Sequence, residues 1–278
     1  MAQPTYRSPL RPAPRRLRRA PGWLLLSVPL LAFLTIPLVI LVFTTSPAQL
    51  LENLHNPLVV QAVLLSLRTT FISLLIILLG GTPLAYLLAR FDFPLRGLVD
   101  TLVDLPTVLP PAVAGVALLI AFGRMGTFGP ALMLLGIEIP FTSAAVIMAQ
   151  VFIAAPFYVR SAAIGFAAID PELEQSAGLD GANAWQVLRH VTLPLARTAL
   201  LGGAVLAWAR ALGEFGATII FAGNFPGRTQ TMPLAIYLGF EFDMNIALTL
   251  SVLLVGVSFL VMIVVKAVLP QAQVRDRG

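Results

Sequence analysis

Long apolar runs separated by short polar segments dominate the chain. A helix crossing the roughly 30 Å hydrocarbon core of a bilayer needs about 20 apolar residues at about 1.5 Å each. Charge-free stretches of that length run over Trp23–Phe43, Thr69–Ala89, Leu105–Gly123, Ile139–Val159 and Met244–Val265. A further apolar stretch, Thr198–Ala222, is interrupted by Arg210 and Glu214. The pattern predicts an all-α membrane protein of six transmembrane helices. Several of these carry Pro or Gly, among them Pro29, Pro37, Pro83, Pro111, Gly115, Pro156, Gly202 and Gly203, which membrane helices tolerate and use for kinks and close packing. No repeat or linker divides the chain. It reads as a basic arm (1–22), a first span with its loop (23–58), a main body (59–269) containing one long loop (166–197), and a tail (270–278).

Composition narrows the function. Of 278 residues, 58% are hydrophobic and 11% charged, against about 25% charged in a typical soluble domain. An ordinary soluble domain, a disordered tail and a nucleic-acid binder are thereby excluded. Cysteine is absent, which removes disulfides, thiolate catalysis and Cys-built zinc sites. His55 and His190 are too few and too far apart in sequence for a His-built metal site. The one Lys, Lys266, follows Val265 inside an apolar run, so no phosphate-binding G-x-x-x-x-G-K-[ST] loop exists. No catalytic residue, metal or cofactor is expected in this chain.

The charges orient it. With the N-terminus inside, the segments 1–22, 90–97, 160–197 and 266–278 hold 6, 2, 3 and 3 Lys/Arg, whereas the outer loops hold only Arg124 and Arg228. This positive-inside asymmetry puts both termini in the cytoplasm of a cell-membrane protein. The first apolar segment is longer than the apolar region of a signal peptide, so it is expected to be retained. The six Arg before it suit anionic lipid on the inner leaflet.

The longest inner segment, 160–197, holds the strongest local signals. Asp170 is a good N-cap followed by Pro171 at the first helical position. Glu172 and Glu174 then crowd the first turn, where they complement the helix dipole. Gly181 can take the positive φ that turns one helix into the next. Asn183 caps a second short helix, which Pro194 is expected to close. A helix–Gly turn–helix should stand on the cytoplasmic face. It reads either as a mere connector or as a docking element; a DNA-binding helix-turn-helix is disfavoured by its few basic residues.

Glu174 to Pro194 resembles the cytoplasmic coupling loop of importer-type ABC permeases, whose pattern is E-A-A, three residues, Gly, then Pro thirteen residues later. Gly181 and Pro194 keep that spacing and Ala177 holds the second Ala. Gln175 replaces the Glu and Ser176 the first Ala, with Glu174 one residue earlier as an alternative carboxylate. The resemblance implies an importer-permease (MetI-like) fold whose coupling helix sits in a groove of a separate ATPase subunit. Its ATPase-coupling residues would be Glu174, Gln175, Ser176, Ala177, Gly181 and Pro194. The implied partners are two ATPase copies, an extracytoplasmic oxyanion-binding protein, a second copy of the chain and membrane lipid. Residues 209–218 (A-R-A-L-G-E-F-G-A-T) and 221–237 (F-A-G-N-F-P-G-R-T-Q-T-M-P-L-A-I-Y) are similar to the molybdate permease family. That family is close to tungstate and sulfate/thiosulfate permeases. Leu105–Pro111 and Phe122–Gly126 add to the likeness, which covers about residues 60–265.

Arg210 and Glu214 stand four apart, so on one helix they share a face and can pair; Thr218 would extend that face. Charges inside the hydrocarbon region are costly and usually face a bundle interior or a water path. Two readings stay open: Arg210 and Thr218 offer donors to a tetrahedral dianion, or the pair only packs one helix against its neighbours. Asp100 and Asp104 read as an interfacial face, Arg124 as a loop charge and Asn224–Arg228 as an outer turn. His55 reads as an outer loop residue, and His190 as facing the ATPase or solvent. An ion-coupled transporter would need acids deep in the membrane, where Glu214 stands alone and beside Arg210. An intramembrane protease lacks its H-E-x-x-H.

Overall fold

In the computed structural model, residues 21–268 are described; the basic arm up to residue 20 and the tail from residue 269 lie outside them. The chain divides into two compact units, Met1–Thr44 and Thr45–Gly278. Of the first, the described part is helix α1 (Pro21–Thr44). Its large apolar side chains from Leu25 to Phe43 are mostly exposed, as expected of a helix that meets lipid rather than a protein core. Pro29 and Pro37 lie inside it.

The regular elements of the second unit are all helices among its described residues. A short helix α2 (Pro47–Asn53) precedes α3 (Pro57–Arg90), which is 34 residues long. Asn56 caps α3 by accepting the Leu58 N–H at 2.9 Å, and Pro57 supplies the preset φ of the first turn. This helix starts 12 residues before the expected Thr69 because the capping pair lies there and exposed Arg68 is carried on its surface. At about 1.5 Å per residue it is about 50 Å long, so it outreaches the hydrocarbon layer or tilts within it.

The expected straight span Leu105–Gly123 is corrected. Helix α4 (Arg96–Val108) and helix α5 (Pro111–Phe122) meet at a bend of 118°. Pro111 follows Pro110, and Leu109 adopts an extended backbone (φ −68, ψ 136), as residues before proline prefer. After α6 (Gly129–Leu134), α7 (Ser143–Ala167) forms the central span. Helices α8 (Pro171–Leu179) and α9 (Ala184–Val187) follow. A π turn over Leu188–Thr192 then leads into α10 (Leu193–Leu212).

Pro194 therefore does not close a helix; Ala184–Leu212 is one continuous 29-residue element that passes through it. A proline in mid-helix lacks an N–H and crowds the carbonyl one turn back. The widened π turn just before it is a recognised way of absorbing such an irregularity. The expected span Thr198–Ala222 is corrected too: α10 ends at Leu212, and a six-residue helix α11 (Gly216–Phe221) begins after a break. Helix α12 (Met232–Phe242) was not expected, and α13 (Met244–Val268) closes the described chain. Among the described residues, five helices are long and apolar enough to span a membrane, or six if the bent α4–α5 pair counts as one.

Three buried clusters hold the second unit together. Ile77, Leu88, Tyr158, Phe166 and Ala207 join α3, α7 and α10. Val146, Ile153, Ala217 and Phe221 join α7 to α11, with Ala114 and Leu118 of α5. Val59, Leu212, Met232 and Leu250 join α3, α10, α12 and α13. Small residues let the backbones approach: a Cβ on Gly165 would lie 2.3 Å from the Ala199 Cβ, so α7 and α10 touch at a spacing only glycine permits. A polar seam crosses the same packing. Buried Gln150 accepts from the Ser73 hydroxyl at 2.9 Å and donates to Thr69 Oγ1 at 3.2 Å. The Ser66 hydroxyl accepts the Met232 N–H at 2.7 Å. Polar pairs of this kind satisfy groups that have no water to turn to.

Candidate functional site

Two places carry charge where packing alone would not put it: the α8–α9 segment and the break between α10 and α11. The first is built as its caps foretell. Asp170 accepts the Glu172 N–H at 3.0 Å. Asn183 and Gln186 form a reciprocal capping box, with N–H to side-chain distances of 2.9 and 2.8 Å. Gly181 sits at φ +92, a conformation nearly reserved for glycine.

No residue of α8 is buried. Leu173, Leu179 and Trp185 expose 50%, 89% and 63% of their surface, an apolar set of the sort that marks an interaction site. Gln175 and Ser176 are exposed and Ala177 is half-buried. Glu174 behaves differently. One carboxylate oxygen accepts the hydroxyl of fully buried Thr192 at 2.6 Å. The other lies 3.3 Å from an Arg90 Nη of α3, and the two side chains are 18% and 13% exposed. The same Arg90 nitrogen donates to the Ile169 carbonyl at 3.0 Å, in the link between α7 and α8. Both oxygens of Glu174, the alternative carboxylate one residue before Gln175, are thus engaged within the chain. Arg90 and Thr192 were not picked out from the sequence. Their only signals were a basic residue ending an apolar run and a hydroxyl just before Leu-Pro.

At the second place Arg210 lies in the last turn of α10 and Glu214 in the break. Their side chains approach to 2.8 Å, with Arg210 29% and Glu214 1% exposed. The approach is off the hydrogen-bond direction for that oxygen, so the contact is electrostatic. The other Glu214 oxygen accepts the Ala217 N–H at 2.8 Å and so stops the free end of α11. Thr218 is fully buried with an unpartnered hydroxyl. The helix break means that it does not continue a single Arg210–Glu214 face.

The remaining sequence-marked residues fall elsewhere. Arg160 of α7 forks onto Asp104 with two bonds of 2.6 Å and onto Asp100 at 2.5 Å. Those two acids thus clamp α4 to α7. Arg124 pairs with Glu138 at 3.0 Å on the surface. In the 224–230 turn the Phe225 carbonyl accepts the N–H groups of Arg228, Thr229 and Gln230. His55 and His190 are exposed, each with Nδ1 near a carbonyl one turn back, at 3.1 Å. No group of three or more His, Cys, Asp or Glu among the described residues is placed to hold a metal ion.

A bundle of long apolar helices, two of them broken, with a capped and surface-mounted helix pair between α7 and α10, defines a multi-pass membrane transport subunit with an importer-permease fold. The crystal structure of a bacterial ABC transporter that imports the acidic polysaccharide alginate matches this fold with a TM-score of 0.70. That match has 18% identity and covers 88% of this chain and 94% of the other. Residues 81–274 match the family described as binding-protein-dependent transport system inner membrane component, and the chain belongs to that family. The molybdenum transport system permease protein ModB of Mycobacterium tuberculosis is 40% identical over 251 residues, 90% of this chain and 95% of the relative. The sulfate transport system permease protein CysW of Synechococcus elongatus is 35% identical over 82% of this chain and 79% of its own length.

Proposed function

We propose that this chain is the membrane-spanning subunit of an ATP-driven importer for molybdate that also carries tungstate. It would act as a pair of identical copies with two separate ATPase subunits and an extracytoplasmic oxyanion-binding protein. The observation that carries the reading is the α8–α9 segment, set between two spans with the Gly181-to-Pro194 spacing of a coupling loop. The molybdate assignment draws on the 40% identity to the mycobacterial molybdenum permease over nearly the whole of both chains.

The charge asymmetry supports a cytoplasmic position for α8–α9 and both termini. ATP binding closes the ATPase pair, draws the two α8–α9 segments together and opens the path toward the loaded receptor; hydrolysis resets it. The exposed Leu173, Leu179 and Trp185 are the apolar part of the ATPase contact. Gln175 and Ser176, small or uncharged and exposed, allow close approach there. Arg210 spends one Nη on Glu214 and is 29% exposed, so the rest of its fork is free to meet a passing dianion. Two copies related by a two-fold axis place two such forks on one path. The path binds its anion weakly, since a tight site would hold it, and selectivity belongs to the receptor.

The sulfate relative supports a second reading, a sulfate or thiosulfate permease. Uptake into membrane vesicles containing the chain with its ATPase and receptor, with and without ATP, decides between them. ATP-dependent uptake favouring molybdate is expected. Sulfate uptake alone would overturn the substrate, and uptake driven by an ion gradient without the ATPase would overturn the class.

A further inference from the structure

We propose that Arg90 and Thr192 are positioning residues for ATP-coupled transport. Acting through Glu174, they latch the coupling helix α8 to three spans at once; the inference rests on the coupling role proposed for α8. Since α8 buries no residue, apolar packing does not hold it in place, and a motion imposed on it would be lost in its flanking turns unless something stiff connects it to the bundle. The Glu174 carboxylate is that connection. One oxygen takes the Thr192 hydroxyl at 2.6 Å, where α10 begins. The other faces Arg90 at 3.3 Å, in the last turn of α3. Arg90 in turn holds the Ile169 carbonyl at 3.0 Å, just past the end of α7.

The ends of α3 and α10 therefore meet at one side chain of α8, the end of α7 is joined to it through Arg90, and these three helices share the largest buried cluster of the second unit. Thr192 is fully buried and the ion pair is mostly so. Water competes little for these contacts; the Thr192 and Arg90 hydrogen bonds are charge-assisted and the Arg90–Glu174 ion pair adds attraction between them. Arg90 at the C-terminal end of α3 also complements that helix's dipole.

The test uses the assembled transporter in proteoliposomes, measuring molybdate imported per ATP hydrolysed. Arg90→Ala and Thr192→Val are expected to lower that ratio roughly fivefold, within the range by which coupling networks respond to mutation, while hydrolysis continues. Arg90→Lys, which keeps the cation, should restore most of it. A ratio equal to wild type in both Arg90→Ala and Thr192→Val, or uptake and hydrolysis falling in equal proportion, overturns the proposal.

A second readout needs no transport. Because the chain has no cysteine, spin labels placed by Asp92→Cys and Asp180→Cys report the distance between the α3–α4 link and α8. That distribution should broaden in Arg90→Ala and stay narrow in Arg90→Lys; an unchanged distribution in Arg90→Ala also overturns the latch. Wild-type transporter that shows no ATP-dependent uptake, together with the expected broadening, would instead sink the coupling role and leave the latch standing.

Discussion

Removing Arg210 alone should be far more damaging than removing Arg210 and the charge of Glu214 together. Glu214 is 1% exposed and its partner lies at 2.8 Å. In Arg210→Met that carboxylate is left buried beside an apolar side chain. Breaking a buried pair from one side costs about 3–5 kcal/mol. Arg210 is itself 29% exposed, so the low end applies: about 3 kcal/mol, a roughly 100-fold shift toward unfolded chain. In Arg210→Met/Glu214→Gln the uncompensated charge is gone. Glutamine still offers the oxygen that accepts the Ala217 N–H, so the start of α11 keeps its cap. The expected result is that Arg210→Met yields little folded protein in detergent, the double variant returns to near wild-type thermal stability, and its ATP-driven molybdate uptake stays low. Recovered uptake in the double variant would show that Arg210 serves packing alone. Undiminished stability in Arg210→Met would refute the argument from the buried carboxylate.

Further outcomes test the packing. Ser73→Ala leaves the Gln150 amide oxygen without its donor and should cost about 1–3 kcal/mol. In a Gln150→Leu background the same change should cost little, which a double-mutant cycle by unfolding in bicelles reads directly. Gly165→Ala drives a methyl into Ala199 at 2.3 Å and should cost about 1–3 kcal/mol as overpacking. Adding Ala199→Gly should restore the melting temperature, since the next heavy atom is 3.7 Å away. Gly181→Ala meets open space but is held at φ +92. It should therefore cost about 1–2 kcal/mol from the backbone alone, seen as a small drop in melting temperature with normal expression.

Much of this architecture is legible because a membrane imposes it. Apolar runs of one length locate most of the spans without reference to any tertiary contact. The caps of α8 and α9 were equally readable, since Asp170, Gly181 and Asn183 act on their own neighbours. Whatever depends on partners distant in sequence was not legible. The bend between α4 and α5 hid inside an unbroken apolar run, because hydropathy does not register direction. Pro194 looked like a stop because the π turn that lets the helix continue depends on hydrogen bonds, not on residue type. Arg160 was not seen as the partner of Asp100 and Asp104 because it lies 56 residues beyond the nearer of them. The inward partners of Glu174 were hidden for the same reason: Arg90 lies 84 residues before it and Thr192 18 residues after it.

The π turn at Leu188–Thr192 makes chain length in this loop a phase angle. Each residue of an α-helix advances the chain by about 100° around its axis. A π turn is a helix carrying one residue more than the α ladder needs. Removing one residue there would let the ladder close regularly. The residues of α9 just before it, including Trp185, would then swing by about a quarter turn around α10, while the spans and the tied helix α8 keep their places. Ordinary surface loops absorb a gain or loss of one residue with little consequence. Between Gly181 and Pro194 the same event would re-aim the exposed Trp185 relative to α8. Over this stretch substitutions should be tolerated more readily than any change in the number of residues.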